Sequence, residues 1–318
     1  MEHRLSAAAI EEAARLIHPV FLSSRHFRSE EVNAYLGCEM TLKDETANPI
    51  RSFKGRGADY FLTKVTERGD HRQLVCASTG NFGQAMAYAC RKHDRPLVVF
   101  ADELANPVKV GRIAEMGAEL RLEGADFDAA KALAREFCER TDSWMVEDGH
   151  EPEISEGAGT IALELLERDD FDAMLIPLGN GALLNGNARW IEETAPDTEV
   201  IGVSAAGADA MARSWREGDI VVKDKVDTIS EGIAVRVPVP SAVADMAGLV
   251  DDVVLVDDDT TVEAMRLLHR HTGLAVEPAA AVGIAAIVGD PSRFEGKKVA
   301  TILTGANLTE EQRRLWLG

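Results

Sequence analysis

Short apolar runs alternate with helical stretches along most of this 318-residue chain, and nothing else in it limits the fold so tightly. Parallel strands cannot be joined by tight hairpins, so a mainly parallel sheet demands a helical crossover between successive strands. Apolar runs predict strands over Leu74–Cys76, Leu97–Phe100, Glu119–Leu122, Ala173–Pro177, Val200–Ser204, Val253–Val256 and Val299–Thr304. Helical periodicity predicts helices over Asn81–Lys92, Phe127–Arg140, Gly159–Arg168, Thr261–His271 and Ala279–Val288. The tetrapeptide Thr260-Thr261-Val262-Glu263 reads as a capping box opening one of these helices. The predicted class is α/β with mainly parallel sheets. No repeat, low-complexity tract or composition break marks a linker.

Three glycine-containing turns fall where a strand gives way to a helix: Ser78-Thr79-Gly80-Asn81-Phe82-Gly83-Gln84, Gly179-Asn180-Gly181-Ala182-Leu183 and Thr304-Gly305-Ala306-Asn307. Open parallel sheets bind ligands beyond the carboxyl ends of their strands, where helix N-termini offer free N–H groups to anions. A single turn of this kind is often only a tight connection. Three of them suggest a ligand with more than one anionic group.

Charge narrows the ligand class. With 34 Lys and Arg against 54 Asp and Glu, the net charge of −20 excludes a nucleic-acid binder and disfavours an anionic membrane surface. That acidity reads first as solubility and coding bias, with adaptation to high salt as the alternative. Cys38, Cys76, Cys90 and Cys138 are too scattered for a disulfide framework, which points to a reducing, cytoplasmic setting. The polar opening Met1-Glu2-His3-Arg4-Leu5-Ser6 lacks the apolar segment of a secretion signal. The longest apolar run, Pro278 to Gly289, is well short of the ~20 residues that span a bilayer.

A lysine completes the constellation. Lys54 lies in Asn48-Pro49-Ile50-Arg51-Ser52-Phe53-Lys54-Gly55-Arg56-Gly57-Ala58. Arg56 nearby and desolvation by Phe53 would favour the neutral amine that Schiff-base chemistry needs.

With that lysine the chain resembles the fold-type II pyridoxal-phosphate enzymes, and among them the serine/threonine dehydratase and serine racemase group. The resemblance runs from about Ile17 to Leu308, and six pieces come in the family's order. The stretch Lys43 to Ala58 is similar to the family's Ser-Phe-Lys-x-Arg-Gly-Ala segment, and Ser78 to Gln84 to its Ser-Ser-Gly-Asn-His. Gly157-Ala158-Gly159-Thr160-Ile161-Ala162 resembles Gly-Gln-Gly-Thr-Ile-Ala, and Ile229 to Val235 resembles the Ile-Ala-Asp-Gly turn. Val276-Glu277-Pro278-Ala279 and Leu303-Thr304-Gly305-Ala306-Asn307 resemble Ile-Glu-Pro and Leu-Ser-Gly-Gly-Asn.

The resemblance implies a tryptophan synthase beta-like fold of two doubly wound lobes, with residues 1–71 and 149–318 in the large lobe and 72–148 in a small movable one. It implies pyridoxal 5′-phosphate held by Lys54, with Phe53, Asn81, Gly179, Asn180, Gly181, Ala182, Leu183, Gly232, Glu277 and Thr304 around it. Asn81 would bind the ring's 3′ oxygen, Gly179 to Leu183 the phosphate, and Thr304 would face the ring nitrogen. Ser78, Thr79, Gly80, Asn81 and Phe82 would hold the substrate carboxylate, and Arg51 would meet an anionic β-substituent or face solvent. Glu277 can also be read as a carboxylate opening the helix at Pro278, but its place in the family pattern, beside the cofactor ring, favours the site. His150 and His271 read as ordinary surface or core residues.

Departures from the family pattern bear on the chemistry. The phosphate loop reads Gly-Asn-Gly-Ala-Leu in place of four glycines. Asn180 is the non-glycine residue that best tolerates positive φ, while Ala182 has no ready account. Thr79 stands where racemases carry their second acid/base serine, which weakens a racemase reading. Ser204 and Ala210 stand where serine racemases place cation-binding carboxylates, so no metal is expected.

The leading reading is an ammonia-lyase (dehydratase) that converts a β-hydroxy amino acid, most simply L-threonine or L-serine, to a 2-oxo acid and ammonia. A neutral hydroxyl at Thr304 favours elimination over transamination. The alternatives are a serine- or hydroxyaspartate-type racemase, a replacement enzyme such as threonine synthase or cysteine synthase, and a catalytically silent ligand-binding relative. Few residues follow Leu308, so no appended regulatory module is expected, and the resemblance implies a homodimer.

Overall fold

A computed structural model describes residues 3–105 and 107–318; Met1 and Glu2, which open the polar N-terminal stretch, and Asn106 lie outside it. Its strands are β1 (His26–Phe27), β2 (Glu39–Asp44), β3 (Leu74–Ala77), β4 (Leu97–Ala101), β5 (Glu119–Leu122), β6 (Trp144–Met145), β7 (Ala173–Pro177), β8 (Glu199–Ala205), β9 (Asp252–Val256) and β10 (Lys298–Leu303). They form a six-stranded sheet in the order β1-β2-β10-β7-β8-β9 and a four-stranded sheet in the order β5-β4-β3-β6. Every pairing is parallel except β1 with β2. The four-stranded sheet is built wholly from residues 74–145, inserted between the first and later strands of the larger one. Two doubly wound α/β units result.

All seven predicted strands are present, with ends shifted by at most one residue. The three unpredicted ones have physical reasons to escape notice. β1 and β6 are two residues long, and β2 ends on the charged pair Lys43 and Asp44. Those charges are buried yet partnered, by Glu164 and Thr46 respectively. Among the helices, Asn81–Lys92 matches the prediction, while two others start several residues earlier than expected and the one read from Ala279 starts one residue earlier, at Pro278. The helix read from Gly159 begins at Pro152, because its first turn holds Glu153, Ser155 and Glu156, polar residues that are nonetheless buried. The helix assigned to a Thr260 capping box begins at Asp258. Asp257 is its N-cap, its carboxylate accepting from the Thr260 N–H at 2.7 Å.

Helices cover both faces of each sheet. The larger sheet packs on one face against Asp258–Thr272 and Pro278–Gly289, and on the other against Pro152–Leu166 and Ala182–Thr194. Pro278–Gly289 is buried almost all round, and a Cβ on Gly283 would lie 1.9 Å from Thr301 Oγ1. Against the smaller sheet, Phe137 of the helix Phe127–Thr141 packs on Phe100 at 5.7 Å between ring centroids, and Asn81–Lys92 and Lys54–Glu67 lie on the opposite face.

The Gly-Ala-Gly-Thr motif lies in the interior of this packing. A Cβ on Gly157 would approach Gly57 Cα to 2.7 Å, and one on Gly186 would meet the Ser155 carbonyl oxygen at 1.8 Å. Glycine lets the three helices Lys54–Glu67, Pro152–Leu166 and Ala182–Thr194 approach to backbone contact. Buried Asn187 then ties two of them, accepting from the Ala162 N–H at 2.7 Å.

All four cysteines are buried and free. No helix among the described residues is long and apolar enough to cross a membrane.

Candidate active site

Lys54 is the first residue of the helix Lys54–Glu67, and the two residues before it are held against the turn after β10. Ser52 forms an isolated antiparallel bridge with Gly305, and the Phe53 N–H donates to the Thr304 carbonyl at 3.1 Å. The glycine turn after β10 therefore abuts the lysine segment. The Lys54 amine lies 4.5 Å from the centroid of the Phe53 ring and donates to Asp148 Oδ2 at 2.5 Å.

Arg56 plays a different part from the one predicted. It is wholly buried, with Nε and Nη2 on the two oxygens of Glu45 at 2.9 and 2.8 Å, and Nη1 on Glu164 at 2.7 Å and Thr160 at 3.0 Å. Lys43 reaches the other Glu164 oxygen. Burial would lower the guanidinium's affinity for its proton, but the charges of Glu45 and Glu164 outweigh it and raise the pKa. Burial likewise works to raise the Glu164 carboxyl, and hydrogen bonds and charge from Arg56, then Lys43, hold it down at about 2. With its donors committed to these carboxylates, the arginine is structural and is no electrostatic partner for the lysine.

Asp148 follows β6, and the next residue brings it to the second glycine turn. Gly149 has φ +85°, and a Cβ there would lie 2.2 Å from the Asn180 carbonyl oxygen. Gly179, Asn180 and Gly181 thus border the segment that touches Lys54. Within this loop only Gly181 has positive φ, at +94°. Asn180 stays out of the left-handed region, so tolerance of positive φ is not what admits asparagine there. Ala182 opens the helix Ala182–Thr194 and turns its methyl into the core with Ile154, which accounts for a non-glycine residue. Leu183 is also a core residue, leaving backbone N–H groups as what these two positions offer a ligand. Gly232 lies against the same loop, its carbonyl oxygen 3.0 Å from where a Gly179 Cβ would be.

On the other side, Asn81 opens the helix Asn81–Lys92 and donates through Nδ2 to both Glu277 oxygens, at 3.1 and 2.9 Å. Asn307 completes the group. Its side chain donates to Asn81 Oδ1 at 2.8 Å and to the Ile50 carbonyl at 2.9 Å, and its backbone N–H donates to Glu277 at 2.7 Å. Glu277 is thus both the N-cap residue of Pro278–Gly289 and a member of this group, so the two readings of it are compatible. Arg112 reaches in from the four-stranded unit, donating to Asn307 Oδ1 at 3.2 Å.

The remaining predicted residues are less uniform. Ser78 Oγ accepts from the N–H groups of Gly80 and Gly83, both at 3.3 Å, so it caps its own turn. Thr79 and Gly80 are half-buried, whereas the Phe82 ring packs in the core behind β3. Arg51 has an exposed side chain and φ +53°, and its carbonyl accepts from the Ala306 N–H at 3.0 Å. His150 and His271 are exposed. Ser204 is buried and donates to the Leu178 carbonyl, and Ala210 is buried. Among the described residues no His, Cys, Asp or Glu cluster is arranged to hold a metal ion.

Asp148, Asn307 and Arg112 were not singled out from the sequence. Asn307 closes a recognised turn and could have been found there. Asp148 lies 94 positions from Lys54 and Arg112 lies 195 from Asn307, in segments with no distinguishing pattern.

An amine near a glycine loop that opens a helix, with a carboxylate and two carboxamides tied to the segment that carries it, suits a phosphorylated carbonyl compound. The comparisons agree. The model of a family described as pyridoxal-phosphate dependent enzyme matches residues 23–305. L-threonine dehydratase of Mycobacterium leprae is 33% identical over 313 residues, covering 95% of this chain and 72% of the relative. L-threonine ammonia-lyase of Geobacter sulfurreducens is 34% identical over 288 residues, covering 90% and 70%. Among solved structures, maize serine racemase has a TM-score of 0.91 at 26% identity, covering 98% of this chain and 96% of that one. The processed form of threonine deaminase isoform 2 from Solanum lycopersicum has a TM-score of 0.89 at 26% identity, covering 99% and 90%. The chain belongs to the pyridoxal-phosphate dependent enzymes, as its lysine and three glycine turns imply.

Proposed function

We propose that this enzyme is an ammonia-lyase that removes the β-hydroxyl of a small amino acid, L-threonine first and L-serine second, releasing a 2-oxo acid and ammonia. What carries the reading is that relatives named L-threonine dehydratase or ammonia-lyase, about a third identical, extend over nine-tenths or more of the chain.

The residues suit the cofactor. Gly179 and Gly181 leave a cradle that a Cβ would crowd: at Gly179 it would lie 3.0 Å from the Gly232 carbonyl oxygen, and at Gly181 3.1 Å from Ala242 Cβ. The loop leads into a 13-residue helix, whose first N–H groups suit a phosphate. Lys54 would hold the carbonyl end, Gly179 to Leu183 the phosphate, Gly232 and Phe53 the faces, and Thr304 the ring nitrogen. Asn81 and Glu277 would set the ring's tilt. When bound, pyridoxal phosphate supplies the electron sink that makes the substrate's α-proton labile.

Lys54 then serves as the base, its Nζ taking the α-proton within the reach of the Phe53 ring. The turn Ser78-Thr79-Gly80 offers backbone N–H groups to the substrate carboxylate, with Ser78 rigidifying the turn and Phe82 anchoring it to the core. A hydroxyl at Thr304 leaves the ring nitrogen without a full negative charge beside it, which favours loss of the β-substituent over transamination. Arg51 at the rim would accept a substrate with a second carboxylate.

A racemase is the second reading, favoured by the TM-score of 0.91 to maize serine racemase. Thr79 would then be the acid/base opposite Lys54.

Residues 72–148 are proposed as the small lobe, closing on substrate while residues 1–71 and 149–318 stay fixed; the four-stranded sheet supports this division. We also place the enzyme in the cytoplasm as a homodimer. Four free buried cysteines suit the compartment, and light scattering of the purified protein tests the dimer.

The decisive experiment combines an oxo-acid assay on serine, threonine and 3-hydroxyaspartate with chiral analysis of the recovered substrate. Oxo-acid release that disappears in Lys54→Ala supports the lyase. Inversion without release supports the racemase, and neither outcome in a protein that takes up the cofactor removes both.

A further inference from the structure

Asp148 is the least explained group near Lys54. Its Oδ2 accepts from the Lys54 amine at 2.5 Å, while Oδ1 is buried and has no hydrogen-bond partner. The side chain is 10% exposed. A shielded carboxylate oxygen with no donor costs free energy, so a folding role should show itself in other bonds. None is seen. The turn is fixed by its neighbours: Gly149 packs on the Asn180 carbonyl, and Arg4 donates to the carbonyls of Gly149 and His150 while pairing with Asp245. Glu147, next in sequence, is neutralised by Lys131 and Arg135.

We propose that Asp148 is the docking partner of the Lys54 amine whenever that amine is not bonded to the cofactor. The inference rests on the reading of Lys54 as the residue that holds the cofactor and acts as base. The amine is free on two occasions: before the cofactor is captured, and during turnover after the substrate's amine has taken its place. In the second, the α-carbon–hydrogen bond breaks, its electron pair stays with the substrate, and the proton forms a new N–H bond on Nζ. Asp148 then lies against the ammonium just formed, and Coulomb attraction in a shielded site lowers the energy of that product. In the first, the same attraction works against capture, because only an uncharged amine can attack an aldehyde carbon. One carboxylate thus assists turnover and retards cofactor capture.

Opposite signs make the test specific, since damage to the site would slow both processes. Protein stripped of cofactor is mixed with pyridoxal phosphate at neutral pH, and growth of the visible absorbance band is followed for the parent, Asp148→Asn and Asp148→Ala. Both variants are expected to capture the cofactor several-fold faster than the parent. Once loaded, their kcat is expected to fall by about 10- to 100-fold with KM little changed, the scale of one lost charge-assisted hydrogen bond. Capture that is unchanged or slower overturns the proposal, as does an unaltered kcat. If one variant does not fold, as judged by its thermal midpoint, the other decides. Lys54→Ala separates the two readings: turnover retained in that variant removes the role of Lys54 itself, whatever the Asp148 variants do.

Discussion

Arg56 stands two positions after Lys54 and carries the charge a reader would give to the active site, yet its partners are Glu45 and Glu164, 11 and 108 positions away. Local sequence singles out Lys54 and the glycine turns because the chemistry each offers is local, an amine and a run of free N–H groups, while Asn81 is pointed to by the family resemblance alone. The destination of a long side chain is set by elements distant in sequence, so neither the partners of Arg56 nor the contact of Asp148 with Lys54 can be read from local pattern. Arg56→Ala leaves the buried Glu45 and the half-buried Glu164 with Lys43 as the remaining cation and the Ser24 hydroxyl and Ser23 N–H as donors. It is expected to cost about 3–5 kcal/mol in urea unfolding, the scale for breaking a buried ion pair by removing one partner. A loss under 1 kcal/mol would mean that water or Lys43 replaces the guanidinium.

Among the elements, the start of the helix Pro152–Leu166 carries an unusual burden. Glu151, Glu153 and Glu156 are each 5–6% exposed. Burial pushes the Glu151 carboxyl up to about 7, with the Trp144 hydrogen bond opposing and the charge of Glu153 adding. Burial likewise pushes Glu156 up to about 7, against a hydrogen bond from the Ser6 N–H. A carboxyl whose folded pKa is raised binds its proton more tightly in the folded state. Its contribution to stability is therefore full below the unfolded value of 4.5 and lost as pH rises through about 7. Glu164, held at about 2, acts oppositely, and its contribution is lost only as pH falls below 4.5 towards about 2. Glu156→Gln keeps the acceptor for Ser6 and removes the titration. Unfolding free energies from urea titrations at pH 5 to 8 are expected to fall less steeply in this variant than in the parent, by an amount on the order of 2 kcal/mol over that range. Parallel curves for the two proteins would refute the assignment. The strands and most helices were legible from their periods, but this first turn was not, because three glutamates on one turn read as solvated surface.

For the whole molecule, the two sheets are linked at their facing ends through Asn81 with Glu277, Arg112 with Asn307, and Arg236 with Asp128. The last pair is about one-third exposed on each side, so salt screens it readily. The net charge of −20 makes repulsion the dominant long-range force over the surface. The thermal midpoint is accordingly expected to rise as sodium chloride is increased from low to molar concentration. A flat or falling curve would show that attractive surface pairs outweigh the repulsion. The buried Arg56 cluster lies beyond the reach of screening and keeps its worth throughout.

The glycine crossings bear on how this enzyme could be redirected to new substrates. Where Gly57, Gly157, Gly159 and Gly186 bring three helices to backbone contact, any added side chain meets backbone at under 3 Å, so the platform that carries the Lys54 helix has a single register. Randomised libraries aimed at that platform would return mostly unfolded clones. Diversity placed at Arg51, Thr79 and Arg112, on the rim and the opposing wall, would sample pocket shapes while the platform carrying the amine stays in place.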